Sequence, residues 1–591
     1  MTQTKEWSPR VQRVLSVLPE ELVEFEKQVK RFRNGEWDPN QFMSFRLKQG
    51  VYGQRQPDFQ MIRVKAPFGG LTADQLDALG EFAKLYTPLR KGHVTTRENI
   101  QFHHVKIEDA AKGLWLLADV GLSTREACGN TMRNVTGCEM AGVCGNEPFD
   151  VTPYAAAYAR FFLRHPFTQA MPRKMKTAFS GCSNDCAITP IHDMGFLPKV
   201  ENGRKGFKIV VGGGTSIMPR VAPTLYEFTP VEEYLKVTEA IVRIYNRTDE
   251  LRKNRMKARI KFYIDRIGID EFRKIVEEEL KEDWAKEDRF DPEPLLFVED
   301  ESVDAPPLQA NYRTNGNSAG FQKWKATNVV PQRQKGYFAA TVKLILGDIS
   351  DVEFHQLADL SRKYAGGRTR VNVQQNIVFR WVPESALYEL WEALKSMGFG
   401  DSGANTIEDV VSCPGTDSCK LGITSSMGLG RAMTEAIMEL NSDDPLVKKM
   451  HVKMSGCPNG CGQHHIADIG FHGAAMKGGN GSKQQIPAYE LFLGGSYETD
   501  DPRFGIRVKA RVPSKRVPEA FKKVVAYYQA NRNEGEEFKN FAARVGAEPF
   551  EEQLAEFKEV GELNKNTIQT FMDWDKTVLY QLERGEGECA V

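Results

Sequence analysis

The chain has 591 residues, 41% of them hydrophobic and 27% charged, with 79 basic side chains balancing 79 acidic ones. That length exceeds one core and suggests roughly three to five domains, and the neutral balance argues against nucleic acid or a membrane surface as partner. The opening MTQTKEWSPR has no apolar stretch of signal-peptide type, and no apolar run approaches the ~18 residues of a membrane span, so the expected location is the cytoplasm. Thiols stay reduced there, so the ten cysteines point to metal or redox chemistry rather than a disulfide framework.

After an N-terminal extension (1–55), a strand in MIRVKAPF, a helix in TADQLDALGEFAKLY and a strand in ENIQFHHV set out a first α+β unit, 56–125. The strands are read from short alternating runs and the helix from its apolar spacing. A cysteine-bearing unit, 126–290, follows. GCEMAGVCG holds Cys138 and Cys144, SGCSNDC holds Cys182 and Cys186, and HDMGF and KIVVGGG come next. The charged stretch from TDELRKNR to KEDR reads as helices of mixed charge closing this half. Residues 291–335, beginning DPEPLLFVEDESVD, are acidic and rich in Pro, Asn and Gly and read as a linker.

Then the chain repeats itself. In 336–405, AATVKLILGDISDVEFHQLADLSRKY aligns without a gap to MIRVKAPFGGLTADQLDALGEFAKLY, and QNIVFRWV aligns to ENIQFHHV. In 406–591, SCPGTDSCK carries Cys413 and Cys419, SGCPNGC carries Cys457 and Cys461, and ADIGF and ELFLGG answer HDMGF and KIVVGGG. Every first-half cysteine of the C-x5-C…C-x3-C pattern recurs 275 residues later. The expected fold is α+β, duplicated about a pseudo-two-fold.

Three readings are open for the cysteines. Zinc ribbons use C-x2–4-C knuckles, which C-x5-C fits poorly. Buried thiols acting as small hydrophobes would not keep four spacings twice. An iron–sulfur cluster needs four converging thiolates on loops where Gly and Pro let the backbone wrap closely, as in CPGTDSC and GCPNGCG.

The second-half set resembles the signature of the siroheme-containing nitrite and sulfite reductase family, and the likeness runs from about residue 43 to 545. HVTTRENIQFHH is similar to that family's siroheme-contacting strand and MPRKMKTAFSG to its anion-binding segment. The resemblance implies ferredoxin-like half-domains at 56–125 and 336–405, each followed by a siroheme or cluster-type domain. It implies that Cys413, Cys419, Cys457 and Cys461 hold a 4Fe–4S cluster, with Cys461 also ligating the siroheme iron. It further implies that Arg63, Arg133, Lys174 and Lys176 form an anion-binding cluster above the siroheme, and that Arg97, with Asn99 and Gln101, contacts the siroheme.

Comparison of the halves supports a division of labour. Arg63 aligns with Thr341, Arg97 with Gln374, Arg133 with Glu408 and Lys176 with His451; only Lys174 keeps its charge, at Lys449. Singly each cation reads as a solvated side chain, and drift alone could remove four of them; the resemblance implies instead that together they mark the half that attracts a small anion. The mirror pocket, with Cys138, Cys144, Cys182 and Cys186, would hold a second cluster, or cluster plus siroheme, beside an acidic Glu408. Retention of cysteines in both halves is closer to the two-subunit dissimilatory enzymes than to single-chain relatives.

The resemblance implies a reductase for sulfite or, alternatively, nitrite. Lys174-Met175-Lys176 matches the Lys-x-Lys of sulfite enzymes, where plant-type nitrite enzymes have Lys-x-Asn, and the extra cation suits the more highly charged anion. A corrinoid-pathway relative would share the fold without needing that pair, and a non-enzymatic protein would use clusters or zinc only as staples. No flavin or nicotinamide fingerprint is present: VVGGGTS is a lone glycine run, not G-x-G-x-x-G. A separate electron donor is therefore expected, ferredoxin ahead of a flavoprotein subunit. Tyr52 and Cys128 are expected to border the pocket, where some family members join such a pair by a thioether; an unlinked phenol and thiol is the expectation here. Cys589 reads as a free terminal thiol.

Overall fold

The computed structural model describes residues 14–478, 484–498, 500–585 and 587–588. Cys589 lies outside them. Four five-stranded sheets carry the α+β fold, two per half, and the halves repeat one another.

In the first sheet, Phe59–Lys65 and Asn99–Lys106 run antiparallel at the centre, Val51–Gly53 forms one edge and Lys91–Val94 lies on the other side. Its fifth strand, Asp348–Ser350, comes from the second half and pairs Asp348 with His93. The corresponding sheet of the second half is built from Val329–Pro331, Tyr337–Val342, Ile377–Pro383 and Arg368–Val371. It takes Gly70–Thr72 from the first half in return. The two half-domains therefore exchange a strand each.

Helices Ala73–Tyr86 and Asp351–Tyr364 start directly after the exchanged strands, each on a capping box, Thr72 with Gln75 and Ser350 with Glu353. They lie against each other, so close that a Cβ on Gly80 would stand 2.9 Å from Asp351 O. Leu76, Leu79 and Phe82 from one helix and Phe354, Leu357 and Ala358 from the other belong to a single core spanning both half-domains. Each sheet has one apolar face, and this shared helical layer covers both. Phe25, Val29 and Phe42 of the N-terminal helices Pro19–Arg33 and Pro39–Lys48 enter the same core.

The two cysteine-bearing units have cores of their own. Met132–Gly137, Met175–Phe179 and Met194–Glu201 run parallel, followed by antiparallel Arg204–Val211 and Thr224–Pro230. Val411–Ser412, Val452–Ser455, Ile469–Lys477, Gln485–Leu493 and Ile506–Pro513 repeat that order. The duplication extends to backbone conformations rarely adopted outside glycine. Phe68 and Leu346, Glu98 and Gln375, His104 and Trp381, and Ile188 and Gln463 are all left-handed at matching places.

The acidic stretch 291–335 is folded onto the second half-domain. Its helix Ala319–Asn328 buries Phe321 and Trp324 in the shared core. Glu301 pairs with Arg370 (3.3 Å) and Arg380 (2.8 Å) and accepts from Trp381 Nε1 (3.0 Å). Among the described residues, no helix is long and apolar enough to cross a membrane.

Candidate active site

A cavity of about 310 Å³ opens where the first half meets the second half's cysteine loops. Its lining includes Arg63, Arg97, Asn99, Gln101, Arg133, Lys174 and Lys176 on one side and Cys413, Cys419, Cys457 and Cys461 on the other.

The thiols sit on the loops that follow the parallel strands Val411–Ser412 and Val452–Ser455. These loops are bolted together by their backbones. Ile423 N and Thr424 N donate to Gly456 O (2.7 and 3.1 Å), and Gly456 N donates to Cys413 Sγ (3.2 Å). The approach requires glycine, since a Cβ on Gly456 would lie 2.6 Å from Gly415 Cα. Burial, then the charge of Cys461, pushes the Cys413 thiol up to about 12; burial and the neighbouring cysteines raise Cys419 and Cys457 as well. Four thiols that repel one another as thiolates are a donor set for a cationic centre. On tight Gly-rich loops they fit an iron–sulfur cluster.

The first-half wall is cationic and stiff. Arg133 donates to Gly129 O (3.1 and 2.9 Å) and Ala127 O (2.9 Å). Arg63 donates to Ala127 O (3.1 Å), and the Gln101 amide oxygen, in the orientation its neighbours demand, accepts from Arg63 Nε (3.0 Å) and Nη2 (2.8 Å). Arg97 is spread over Thr136 Oγ1, Asn134 O and Thr177 O at 3.0, 2.6 and 3.1 Å. Burial lowers its pKa to about 10 although Glu98 and Asp193 oppose that. Lys176 is tied by its backbone N–H to Asp193 Oδ2 (2.7 Å), leaving its side chain to the cavity. Burial, then Arg259, Arg97 and Lys174, hold its ammonium well below the usual lysine range, with Cys461 pulling the other way. Among the described residues no carboxylate pairs with Lys176. A concentration of cations whose hydrogen bonds go to carbonyls and amides is a site for an anionic ligand; it suits the carboxylates of a siroheme and a small oxyanion.

The halves interlock around Cys461. Thr96 Oγ1 donates to Cys461 O (2.8 Å), Gln463 Nε2 to Thr96 O (3.4 Å) and Thr215 Oγ1 to Gly460 O (3.5 Å). Tyr52 lines the cavity and packs with Cys128, Met61 and Leu47 in one small cluster, with Arg63 Nη1 3.6 Å from Cys128 Sγ.

Several contributors carry no repeat signal. Arg55 clamps the Cys419 loop, its N–H bonding Ser418 O (2.8 Å) and its guanidinium Gly422 O (2.6 Å) and Cys419 O (3.3 Å). Arg259 (to Asp193 Oδ1, 2.6 Å) and Lys261 (to Thr215 O, 2.8 Å) come from the stretch read as helices of mixed charge closing the first half, and both line the cavity. The chain's end folds back as well. Glu588 accepts from Arg46 Nη1 and Nη2 and Gly53 N, each at 2.7 Å, and from Lys420 Nζ (3.0 Å), beside Gly587 at the cavity edge.

One expectation is corrected. Glu408, placed by the repeat in the mirror pocket, is exposed and pairs with Lys343 at 4.0 Å. The loop around left-handed Gly403 carries it outward.

Comparison with known proteins agrees with this architecture. Residues 128–284 and 403–583 match the model of the nitrite and sulphite reductase 4Fe-4S domain, and residues 52–118 and 330–397 match that of the nitrite/sulfite reductase ferredoxin-like half domain. A sulfite reductase [ferredoxin] 1 of Mycolicibacterium paratuberculosis is 29% identical, over 83% of this chain and 82% of its own length. An assimilatory ferredoxin-dependent nitrite reductase of Haloferax mediterranei is 30% identical, over 84% of each chain. The solved structure of the Mycobacterium tuberculosis NirA protein superposes with a TM-score of 0.75 at 24% identity, covering 90% of this chain and 97% of that one. With both domain models matched twice and most of the chain covered, the protein belongs to the siroheme and 4Fe–4S nitrite and sulfite reductase family.

Proposed function

We propose that the chain reduces sulfite to sulfide with six electrons, and that nitrite to ammonia is the second reading, favoured by the nitrite reductase relative. What supports the reading is one observation: first-half cations, Arg63, Arg133, Lys174 and Lys176 among them, and four thiols from the second half line a single cavity. In this reading Cys413, Cys419, Cys457 and Cys461 hold the 4Fe–4S cluster, Cys461 is shared with siroheme, and Arg97, Asn99 and Gln101 hold the siroheme. Bound there, siroheme coupled to the cluster supplies the electron path and the iron on which the anion sits.

The chain's own residues bind, orient and protonate. Arg63 and Arg133 are pinned by main-chain carbonyls, so they present fixed charge to the anion's oxygens with little reorganisation. Lys174 and Lys176 add compact, mobile charge and the protons that departing oxygens require. Sulfite must lose all three oxygens, and the Lys-x-Lys pair supports it over nitrite. Electrons come from a separate protein, ferredoxin by the names of the relatives. The test is kcat/KM for sulfite and nitrite with reduced ferredoxin, measured as sulfide and ammonia. A larger value for nitrite would select the second reading. Neither product, from protein showing siroheme and cluster absorbance, would overturn both.

A further inference from the structure

We propose that the first half holds a second iron–sulfur cluster, on Cys138, Cys144, Cys182 and Cys186, and that this cluster has no heme beside it. The proposal takes from the family reading only the kind of cofactor, and its test does not depend on which anion is reduced.

The four thiols are brought together by the fold. Cys138 Sγ, Cys186 Sγ and a carboxylate oxygen of Glu139 lie within 4.8 Å of one another. Cys144 is on the loop of Cys138 and Cys182 on that of Cys186, and the two loops start side by side, with Cys138 N donating to Phe179 O (3.1 Å). The loops that carry them are those of the second half built again. Cys138 and Cys182 follow parallel strands paired Gly137 to Phe179, as Cys413 and Cys457 follow strands paired Ser412 to Met454. After each C-x3-C the chain turns left-handed at the same place, at Ile188 and at Gln463. For a β-branched residue that conformation is strained and persists only where the surroundings demand it. Gly181 lets the two loops close, since a Cβ there would meet Cys138 Sγ at 3.2 Å. The backbone also presents donors to sulfur, with Asn146 N 3.4 Å from Cys144 Sγ, as Gly456 N does for Cys413.

The residues that the second half brings to this site differ from those of the cavity described above. In the first half, the turn pinned by the Gly214–Arg220 bridge carries Thr215, which touches the Cys461 loop. The matching turn of the second half, pinned by Ser496–Arg503, carries Tyr497 instead. Tyr497 packs in one cluster with Ile188 and Ile191, just past Cys186, so its ring lies on the first-half loop. Its hydroxyl bonds His451 Nε2 (2.8 Å), and Lys453 Nζ, 5.9 Å from the ring centroid, donates to Gln374 Oε1 (2.5 Å). Val373, Ile188, Ile191 and Ile466 pack with Tyr497 and Phe504. The positions that are Arg63, Arg97 and Lys176 in the first half are Thr341, Gln374 and His451 here. A macrocycle bearing many carboxylates meets none of the three cations that line the corresponding cavity of the other half. A cluster alone, carrying one electron at a time from the same external donor, finds its four ligands.

The test is the metal content of the full chain as isolated anaerobically. Iron, acid-labile sulfide and extracted siroheme should stand near 9:8:1, against about 5:4:1 for a single site. Cys182→Ser with Cys186→Ser should remove about four irons per chain, keep the siroheme Soret band, and abolish one of two reduced-cluster signals in electron paramagnetic resonance. The wild-type ratio decides even if that variant fails to fold. A ratio of 5:4:1, one zinc in place of the missing iron, or two sirohemes per chain would each overturn the proposal. Absence of siroheme with eight irons present would defeat the proposed function and leave this inference standing.

Discussion

Replacing Glu588 by Ala tests how the chain's end shapes the cavity. The carboxylate is 5% exposed and joins Arg46, Gly53 N and Lys420, so it ties the N-terminal helix, the Tyr52 strand and the Cys419 loop at one point. Removing one member of a buried ion pair costs about 3–5 kcal/mol because the other charge is stranded. Arg46 keeps one acceptor, Val51 O at 3.2 Å, which puts the expected loss near the low end. About 3 kcal/mol corresponds to a roughly 100-fold increase in opening of the docked tail. Hydrogen exchange on the holoprotein should show this as faster exchange at Gly53 and at Gly585, whose N–H bonds Lys420 O (2.9 Å). Glu588→Gln, which keeps the shape, should fall between. Unchanged protection at both amides in the Ala variant would show that Glu588 does not hold the tail.

The same carboxyl sets a pH response. Burial raises its pKa, but Arg46, Lys420 and the Gly53 N–H outweigh burial and hold it below its ordinary value. Its contribution is therefore complete above the unfolded pKa of about 4.3 and lost as pH falls through the lower folded value, so tail protection should be flat above about pH 5 and drop in acid. Lys176→Asn should keep the cofactors and lower kcat/KM for sulfite by about 10²–10³-fold, with a smaller loss for nitrite; equal losses would remove Lys176 as the discriminator. Cys461→Ser should disrupt the cluster and the siroheme spectrum together, and an intact Soret band with full turnover would refute its shared role. Gly456→Ala forces a Cβ to 2.6 Å from Gly415 Cα and should cost about 3 kcal/mol or more and the cluster absorbance; normal cluster loading would show that the loops have slack.

Much of the site was legible because a repeat carries its own control. The cysteine spacing located both loops, and the unequal charges at Arg63, Arg97, Arg133 and Lys176 marked which half faces the second-half thiols. Legibility failed where the signal was not periodic. The strands Gly70–Thr72 and Asp348–Ser350 are three residues each, too short to alternate visibly, and their partners are distant in sequence. Arg259 and Lys261 sat in a stretch legible only as helices of mixed charge, with no counterpart to mark them. Glu408 aligned correctly by number, yet the loop bearing it points to solvent. Tyr497 escaped because the 275-residue offset fails beyond the cysteine loops, where the second half has a longer excursion before its last strands.

The reciprocal loan of a strand decides what each half is on its own. A fragment ending before residue 336 would leave Lys91–Val94 without its neighbour and Gly70–Thr72 without a sheet to join, while the apolar face of helix Ala73–Tyr86 lost part of its cover. Such a fragment has an open edge beside exposed hydrophobic surface, a surface inviting association with another copy. Native pairing of Asp348 with His93 must wait until the chain beyond residue 348 has left the ribosome, so a growing chain carries that edge while roughly 250 further residues are made. The duplication is thus irreversible in a mechanical sense: two once-equal units have become a clasp that neither half closes alone.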